Sequence, residues 1–448
     1  MTQLRPETST LAAPLDSHEE TEVGSVFVSN YPPFSAWNGD HLDDVHHLLA
    51  QEPKTDRELG LYLHIPFCRK RCKFCYFRVY TDKNYDEIGT YLNALATEIE
   101  TYSDLPAIKG RSPRFIYFGG GTPSYISSTH LRGLVDRIKQ RISWEAAEEI
   151  TFECEPGTLT RTKLEMIREI GVTRLSLGIE NFDDDILRLN GRAHLSKEIA
   201  NTIPWIEEIG FPQLNIDLIA GMVGESWKTW KDTVAKTVDL APDSVTVYQM
   251  ELPFNTRFSK SLQEGSLDTE LADWDTKRAW HDYAFEKLAD TGYEVSSAYT
   301  IVKNRAACRF IYRDAVWHGC DLLGTGVASF SHLDGTHFQN VDGWGEYIAA
   351  TQDGRLPLGR SFTTSPREQL TREFILQLKL GHVEANYFRQ KFGADIFETF
   401  GDGLAVLEAA NMSTRDQDTV RLTRQGLLQV DSLLPHFYSD EYRGLRYT

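Results

Sequence analysis

The chain has 448 residues, 41% of them hydrophobic and 25% charged, and 65 acidic against 47 basic side chains give a net charge of −18. That hydrophobic share excludes global disorder, no run approaches the ~18 consecutive apolar residues of a membrane span, and the acidic balance argues against a general nucleic-acid surface. The start, MTQLRPETSTLAAPLDSHEETE, is acidic and lacks the apolar core of a secretory signal, so the expected location is the cytoplasm.

Residues 1–25 read as a flexible polar tail, and 26–57 as a covering segment opened by the apolar patch VFVSNYPPFSAW. From Leu61 the pattern alternates. Strands are expected over 61–67, 115–118, 149–154, 174–177, 213–219 and 244–248, and helices over 85–102, 131–142, 163–170, 196–209 and 227–239. About six strand–helix repeats predict a parallel sheet covered by helices, as a barrel or an open sheet. A helical pattern follows from Asp268 to Thr291, then a glycine-rich β segment through 321–332, and helices again from about Ser365. The expected parts are a tail and covering segment (1–57), a core (58–268), an α/β extension (269–364) and a C-terminal α-rich domain (365–448).

Six cysteines are present: Cys68, Cys72, Cys75, Cys154, Cys308 and Cys320. In a reducing compartment they are not expected to form disulfides. The first three have the spacing C-x3-C-x2-C directly after a strand. Structural zinc takes four ligands, often as two C-x2-C pairs, and no second pair follows here. Three thiolates on one loop leave a coordination position open, which fits a [4Fe–4S] cluster better than zinc. Cys154, Cys308 and Cys320 are expected to be buried bystanders, with a Cys308–Cys320 metal pair as the less favoured alternative. Trp317 and His318 in VWHG shape a pocket or simply pack, and His64 supports either the site or the core.

The cysteine spacing also resembles the cluster loop of the radical S-adenosylmethionine (SAM) superfamily. The finer resemblance, strongest over residues 61–328, is to the oxygen-independent coproporphyrinogen III oxidase family, whose relatives include a heme chaperone and class C methyltransferases. It is carried by LYLHIPFC, FGGGTP, FECEPGTLT, RLSLGIENFDDDILRLNGRAH, NIDLIAGMVGES and YQMELPFNTRF. The resemblance implies an α/β fold, a radical SAM partial (β/α)6 barrel with a C-terminal α-rich, winged-helix-like domain. It implies a [4Fe–4S] cluster and SAM as cofactors, with Cys68, Cys72 and Cys75 as the metal ligands and catalytic thiolates. Tyr62, Phe74, Gly120, Gly121, Thr122, Glu153, Glu180, Arg192 and Asp217 would then contact SAM. A glutamate at 180 departs from the glutamine of the oxidase.

Two features separate the chain from each branch. Phe77 stands where the oxidase has a fourth cysteine, and FIYRDAVWHG stands where the chaperone has HN-x-x-YW. FVSNYPPFSAW resembles a stretch of the oxidase that covers its site, and VRLTRQGLLQVDSLLPHF resembles the small winged-helix-like domain, read here as a lid or packing module. The implied activity is oxidative decarboxylation of a tetrapyrrole in porphyrin or heme biosynthesis, with a methyltransferase or cyclopropanase and a heme chaperone as alternatives. The expected partners are a tetrapyrrole or other anionic small molecule and an electron donor such as flavodoxin. No nucleic acid or membrane is expected, and the chain is expected to be a monomer. The basic loop Arg69, Lys70, Arg71, Lys73, Arg78 and Lys83 offers local positive potential for an anionic substrate or acidic donor.

Overall fold

One twelve-stranded sheet organises most of the chain in the computed structural model, which describes residues 20–53, 57–267 and 269–445. Strands β1 (Leu59–Ile65), β2 (Phe115–Gly120), β3 (Glu149–Cys154), β4 (Arg174–Glu180), β5 (Gln213–Ala220) and β6 (Ser244–Gln249) lie side by side in chain order, all parallel. Their sequences are apolar on both faces because helices cover the outside and a packed barrel interior lies within. β1, LGLYLHI, is buried at every position but Tyr62.

Each crossover helix starts where the sequence supplies a cap. Asn84 and Glu87 form a capping box at α1 (Tyr85–Asp104), and Ser127 and Thr160 cap the helices Ser128–Lys139 and Arg161–Glu169. The six-strand core is extended rather than closed. β9 (Asp321–Thr325) runs parallel to β1, followed by the antiparallel β10 (Phe330–Leu333), β11 (Thr336–Asn340) and β12 (Leu358–Thr363). On the other side β8 (Thr300–Val302) and β7 (Glu294–Val295) follow β6, so the curved sheet ends in two edges, as a partial barrel requires.

The C-terminal region begins with α2 (Pro366–Leu378) and carries a small antiparallel sheet of β13 (His382–Glu384), β14 (Ser413–Arg415) and β15 (Thr419–Leu422), ordered 13-15-14. Helices with a short β wing match the winged-helix-like expectation. Its core is separate from the barrel core but includes Val28 and Tyr31 of the N-terminal segment. Among the described residues no helix is long and apolar enough to cross a membrane.

Two expectations need correction. The tail reading fails for residues 20–25; residues 1–19 lie outside the described ones. Thr21 is buried, donates to Ala272 O at 2.7 Å and accepts from Lys277 Nζ, while Gly24 N donates to Leu252 O at 2.9 Å. The helix expected over 268–291 runs only from Trp274 to Ala289, because the Asp273 side chain caps its start by accepting from Thr276 N. Between the strand expected at 174–177 and the helix at 196–209 lies a short helix, Asp184–Leu189, capped by Asp183.

Candidate functional site

The barrel interior and the space beneath the C-terminal region form one cavity of about 1510 Å³. All twelve residues named above for cluster and SAM line it: Cys68, Cys72, Cys75, Tyr62, Phe74, Gly120, Gly121, Thr122, Glu153, Glu180, Arg192 and Asp217. Their chemistry follows from how the elements present them.

The cysteine loop leaves β1 and is pinched at its neck. Tyr80 N donates to Pro66 O at 2.7 Å and Cys68 N to Tyr80 O at 3.1 Å. Its middle is tied down by Lys73 N to Asn190 O at 3.0 Å, and by Arg257 N to Lys73 O at 3.0 Å. The loop therefore positions its thiols by backbone hydrogen bonds rather than by disulfides; all six cysteines are free. Thr122 Oγ1 donates to Cys68 Sγ at 3.4 Å and Arg192 Nη1 to Cys72 Sγ at 3.3 Å. Donors to sulfur stabilise thiolates and tune a cluster. Burial pushes the Cys68 thiol up to about 12 and Cys75 up to about 11, so these thiols stay protonated until a metal displaces the proton. Among the described residues no group of three His, Cys, Asp or Glu side chains could hold a single metal ion. Three thiols on one open cavity fit a polynuclear cluster with a free position.

Glycine is required where β2 meets this loop. Gly121 N donates to Ile65 O at 2.9 Å, and a Cβ on Gly121 would stand 2.9 Å from Phe67 O and 3.0 Å from Cys68 Sγ. Gly120 has φ +116°, and a Cβ there would press into the His64 ring at 2.7 Å. Period-two alternation along β1 puts His64 on the face of Tyr62, and their side chains meet at 3.3 Å.

Carboxylates gather on the inner face. Glu153 accepts from Tyr117 OH at 2.7 Å and from Gly120 N at 3.1 Å; burial, with Asp217 adding to it, pushes its carboxyl up to about 7. Asp217 accepts from Ser176 and Asn215, each at 2.9 Å. Glu180 sits at a register shift in β4, with φ +64°. Such irregularities re-aim a side chain beside a site. Burial pushes Glu180 up to about 7 against the pull of Arg192, 3.5 Å away. Near neutral pH it is partly protonated, and a protonated glutamate can donate a hydrogen bond as the oxidase's glutamine would. Arg192 Nη2 donates to Gly178 O at 2.8 Å, while its buried Nε has no partner among the described residues. An unsatisfied guanidinium N–H beside a three-thiol loop fits an amino-acid carboxylate such as SAM carries.

Several sequence readings change here. The basic loop is largely paired. Arg69 meets the buried Glu155 at 3.0 Å, Arg78 meets Asp342 at 2.7 Å, Lys83 meets Glu87 at 3.0 Å, and Arg71 Nη2 donates to Cys75 O at 3.0 Å. Lys73 lies over the Phe258 ring. Only Lys70 stands exposed with no partner among the described residues. His318 does not line the cavity; its Nδ1–H donates to Asp314 O at 2.7 Å and its ring packs on Tyr387, and Trp317 packs on the C-terminal core. Cys308 and Cys320 are buried singly, as expected, and Cys154 lies in the barrel core.

The sequence reading missed Arg174, Tyr117, Tyr312 and Phe310. Arg174 is buried, lines the cavity and stacks 4.0 Å over Phe310. It shares the inner face of β4 with Ser176 and Gly178, so alternation counted back from Glu180 could have found it.

Comparison with known proteins agrees with this geometry. The radical SAM superfamily model matches residues 62–236 and the HemN C-terminal domain model matches 364–428. Heme chaperone HemW of Bacillus subtilis (strain 168) is 27% identical over 384 residues, covering 85% of this chain and 99% of that protein. The oxygen-independent coproporphyrinogen III oxidase of Salmonella typhimurium is 25% identical over 391 residues, covering 85% and 84%. The structure of coproporphyrinogen III oxidase (HemN) from Escherichia coli, a radical SAM enzyme, matches with TM-score 0.79 and 22% identity, covering 94% of this chain and 99% of that one, which establishes a shared fold.

Proposed function

The chain carries a radical SAM domain followed by a HemN C-terminal domain, and from that premise we propose that it is an enzyme acting on a carboxylate-bearing tetrapyrrole, most simply by oxidative decarboxylation of a propionate side chain. Radical SAM proteins use a [4Fe–4S] cluster and SAM, and the residues present fit both. When bound, the cluster supplies the electron that splits SAM into methionine and a 5′-deoxyadenosyl radical.

The observation that carries the reading is the single cavity. The three-thiol loop and the SAM-type residues share it with further cations and rings, including Arg174, Tyr248, Tyr312, Arg372 and Arg360. A tetrapyrrole with several carboxylates needs this combination of apolar walls and guanidinium groups.

In this reading Cys68, Cys72 and Cys75 hold the cluster. Arg192 takes the SAM carboxylate, and the backbone of Gly120 to Thr122 takes its amino end. Glu153, Glu180 and Asp217 hold ribose hydroxyls or the ammonium, and Tyr62 and Phe74 pack beside the cofactor. The N-terminal segment and the C-terminal residues Leu427–Ser432 border the cavity and exclude water from it. We place the protein in the cytoplasm as a monomer reduced by an acidic donor such as flavodoxin, approaching on the Lys70 side.

A second reading, heme carriage without turnover, is favoured by the relatives of Bacillus subtilis and Lactococcus lactis, both described as heme chaperone HemW. Anaerobic incubation of the reconstituted protein with SAM, reductant and coproporphyrinogen III separates the readings. Vinyl product with CO2 is expected. A methylated product would favour the class C methyltransferase alternative, and stable heme binding without turnover the chaperone.

A further inference from the structure

Arg174 is 2% exposed, yet no described residue accepts a hydrogen bond from its guanidinium or forms an ion pair with it, and the residue borders the cavity. The other buried cations are satisfied: Lys277, Arg313, Arg372 and Lys379 each donate to an oxygen. Three carboxylates lie near enough to feel the Arg174 charge. Burial raises Glu149, Glu153 and Asp217, and Arg174 pulls each of them back. All three have partners of their own. Glu149 accepts from Ile311 N at 2.8 Å, Tyr312 N at 3.3 Å and Thr151 Oγ1 at 3.0 Å, and the partners of Glu153 and Asp217 are those given above. The acids therefore offset the cost of burying the cation without taking up its N–H groups.

Arg174 is the first residue of β4 and Glu180 the last, roughly 20 Å apart at the rise of a strand. The cysteine loop and the glycine turn follow the C-terminal ends of β1 and β2, so Arg174 stands toward the opposite end of the barrel. Strand register runs from Tyr62 to Tyr117, Thr151 and Arg174. Aromatic rings wall this part of the cavity: Tyr62 and Tyr117 stack at 5.8 Å, Tyr117 and Tyr312 meet at 4.5 Å, and the guanidinium lies 4.0 Å over Phe310. Stacking occupies the face of a guanidinium and leaves the N–H donors along its edge free, a fork that matches a carboxylate. With three acids nearby, a singly charged carboxylate is repelled less than a phosphate dianion.

We propose that Arg174 anchors one side-chain carboxylate of the substrate, which enters the barrel as an extended arm while the macrocycle stays outside the strands. The proposal rests on the reading of a carboxylate-bearing tetrapyrrole and adds which part of it enters the barrel and which residue selects that part. The two guanidiniums on this cavity then divide the work: Arg192, at Cys72 Sγ, serves the cofactor, and Arg174 serves the substrate.

The test is titration of the full-length, cluster-reconstituted protein with coproporphyrin III and with its tetramethyl ester, followed by absorption and fluorescence, beside equilibrium dialysis with SAM. Wild type is expected to bind the free acid more tightly than the ester. Arg174→Met, which keeps length and removes the charge, should weaken the acid by about tenfold or more, the loss of one charge-assisted pair. It should leave the ester and SAM as in wild type, which also shows that the variant's cavity is intact. Arg174→Lys should recover part of the preference for the acid. Unchanged affinity for the acid in Arg174→Met, or an equal loss for acid and ester, would overturn the anchor while leaving tetrapyrrole binding in place. A loss of SAM affinity would make Arg174 a cofactor residue and overturn it as well. Wild type that binds neither porphyrin and converts no coproporphyrinogen III would overturn the tetrapyrrole reading and the anchor together.

Discussion

Arg192 faces a thiol, a backbone carbonyl and a carboxylate at once: Cys72 Sγ at 3.3 Å, Gly178 O at 2.8 Å and Glu180 at 3.5 Å. A lysine keeps the charge but not the planar fork that makes these contacts together. Arg192→Lys should leave iron and sulfide content near wild type and weaken SAM binding by about tenfold or more, the scale of ~1.4 kcal/mol. Equilibrium dialysis with SAM checks it; unchanged affinity would remove Arg192 from the carboxylate role. At Glu180 the carboxyl is raised to about 7 by burial, so it is neutral below that pH and anionic above. If it faces the SAM cation, affinity should rise as pH increases through 7, and Glu180→Gln should flatten that rise. Glu153, also near 7, leaves a residual slope. Equal slopes in both proteins would place Glu180 outside the pocket's electrostatics. These residues were legible through the family resemblance, and Glu153 and Glu180 also because each lies at the end of an expected strand. Arg372 and His337 were not, because their partners Asn30 and Tyr31 lie 342 and 306 positions away.

Helix α1 carries a buried carboxylate that fastens one edge of the barrel. Glu98 accepts from Asn340 Nδ2 at 2.6 Å, Tyr347 OH at 2.6 Å and Gly326 N at 2.8 Å, fixing the turn between β9 and β10. Gly326 has φ +101°, and a Cβ there would meet Tyr91 OH at 2.5 Å. Burial raises Glu98 from 4.5 to about 7, so between those values the folded chain binds more protons than the unfolded one. Its contribution to stability is therefore full below 4.5 and declines as pH rises through that window. Glu98→Gln should remove this decline and, by turning an amide N–H toward donors, cost about 1–3 kcal/mol. Thermal melts on both sides of the window test it; an unchanged pH dependence would mean that the carboxylate is solvated. At this scale the sequence was readable where periodicity is strong: the six parallel strands fall within a few residues of expectation. Only β10 fell in the expected glycine-rich β segment; β11 and β12 were missed, although the Asp334–Gly335 turn that joins β10 to β11 is a local hairpin signal.

The molecule closes its cavity with the two ends of the chain. Lys379, 1% exposed at its side chain, lies 2.8 Å from Asp431 and also donates to Val28 O, while Val28 N donates to the same carboxylate at 2.8 Å. One buried pair thus joins the N-terminal segment to the C-terminal domain above the site. Asp431→Ala would strand a buried ammonium and should cost about 3–5 kcal/mol, seen as a lower melting temperature and faster proteolysis of the N-terminal segment. Normal melting would mean that Lys379 finds water or another partner. The covering role of both ends was visible only as faint resemblance, since composition does not reveal which surface a segment covers. The central claim concerns the three thiols and the SAM pocket they share. It is tested most directly by anaerobic reconstitution with iron and sulfide, addition of SAM and dithionite, and quantification of 5′-deoxyadenosine beside a Cys72→Ala control. Formation of the nucleoside by wild type, with neither cluster nor nucleoside in the control, is the predicted result; an intact cluster that yields no 5′-deoxyadenosine, with or without coproporphyrinogen III, would contradict it.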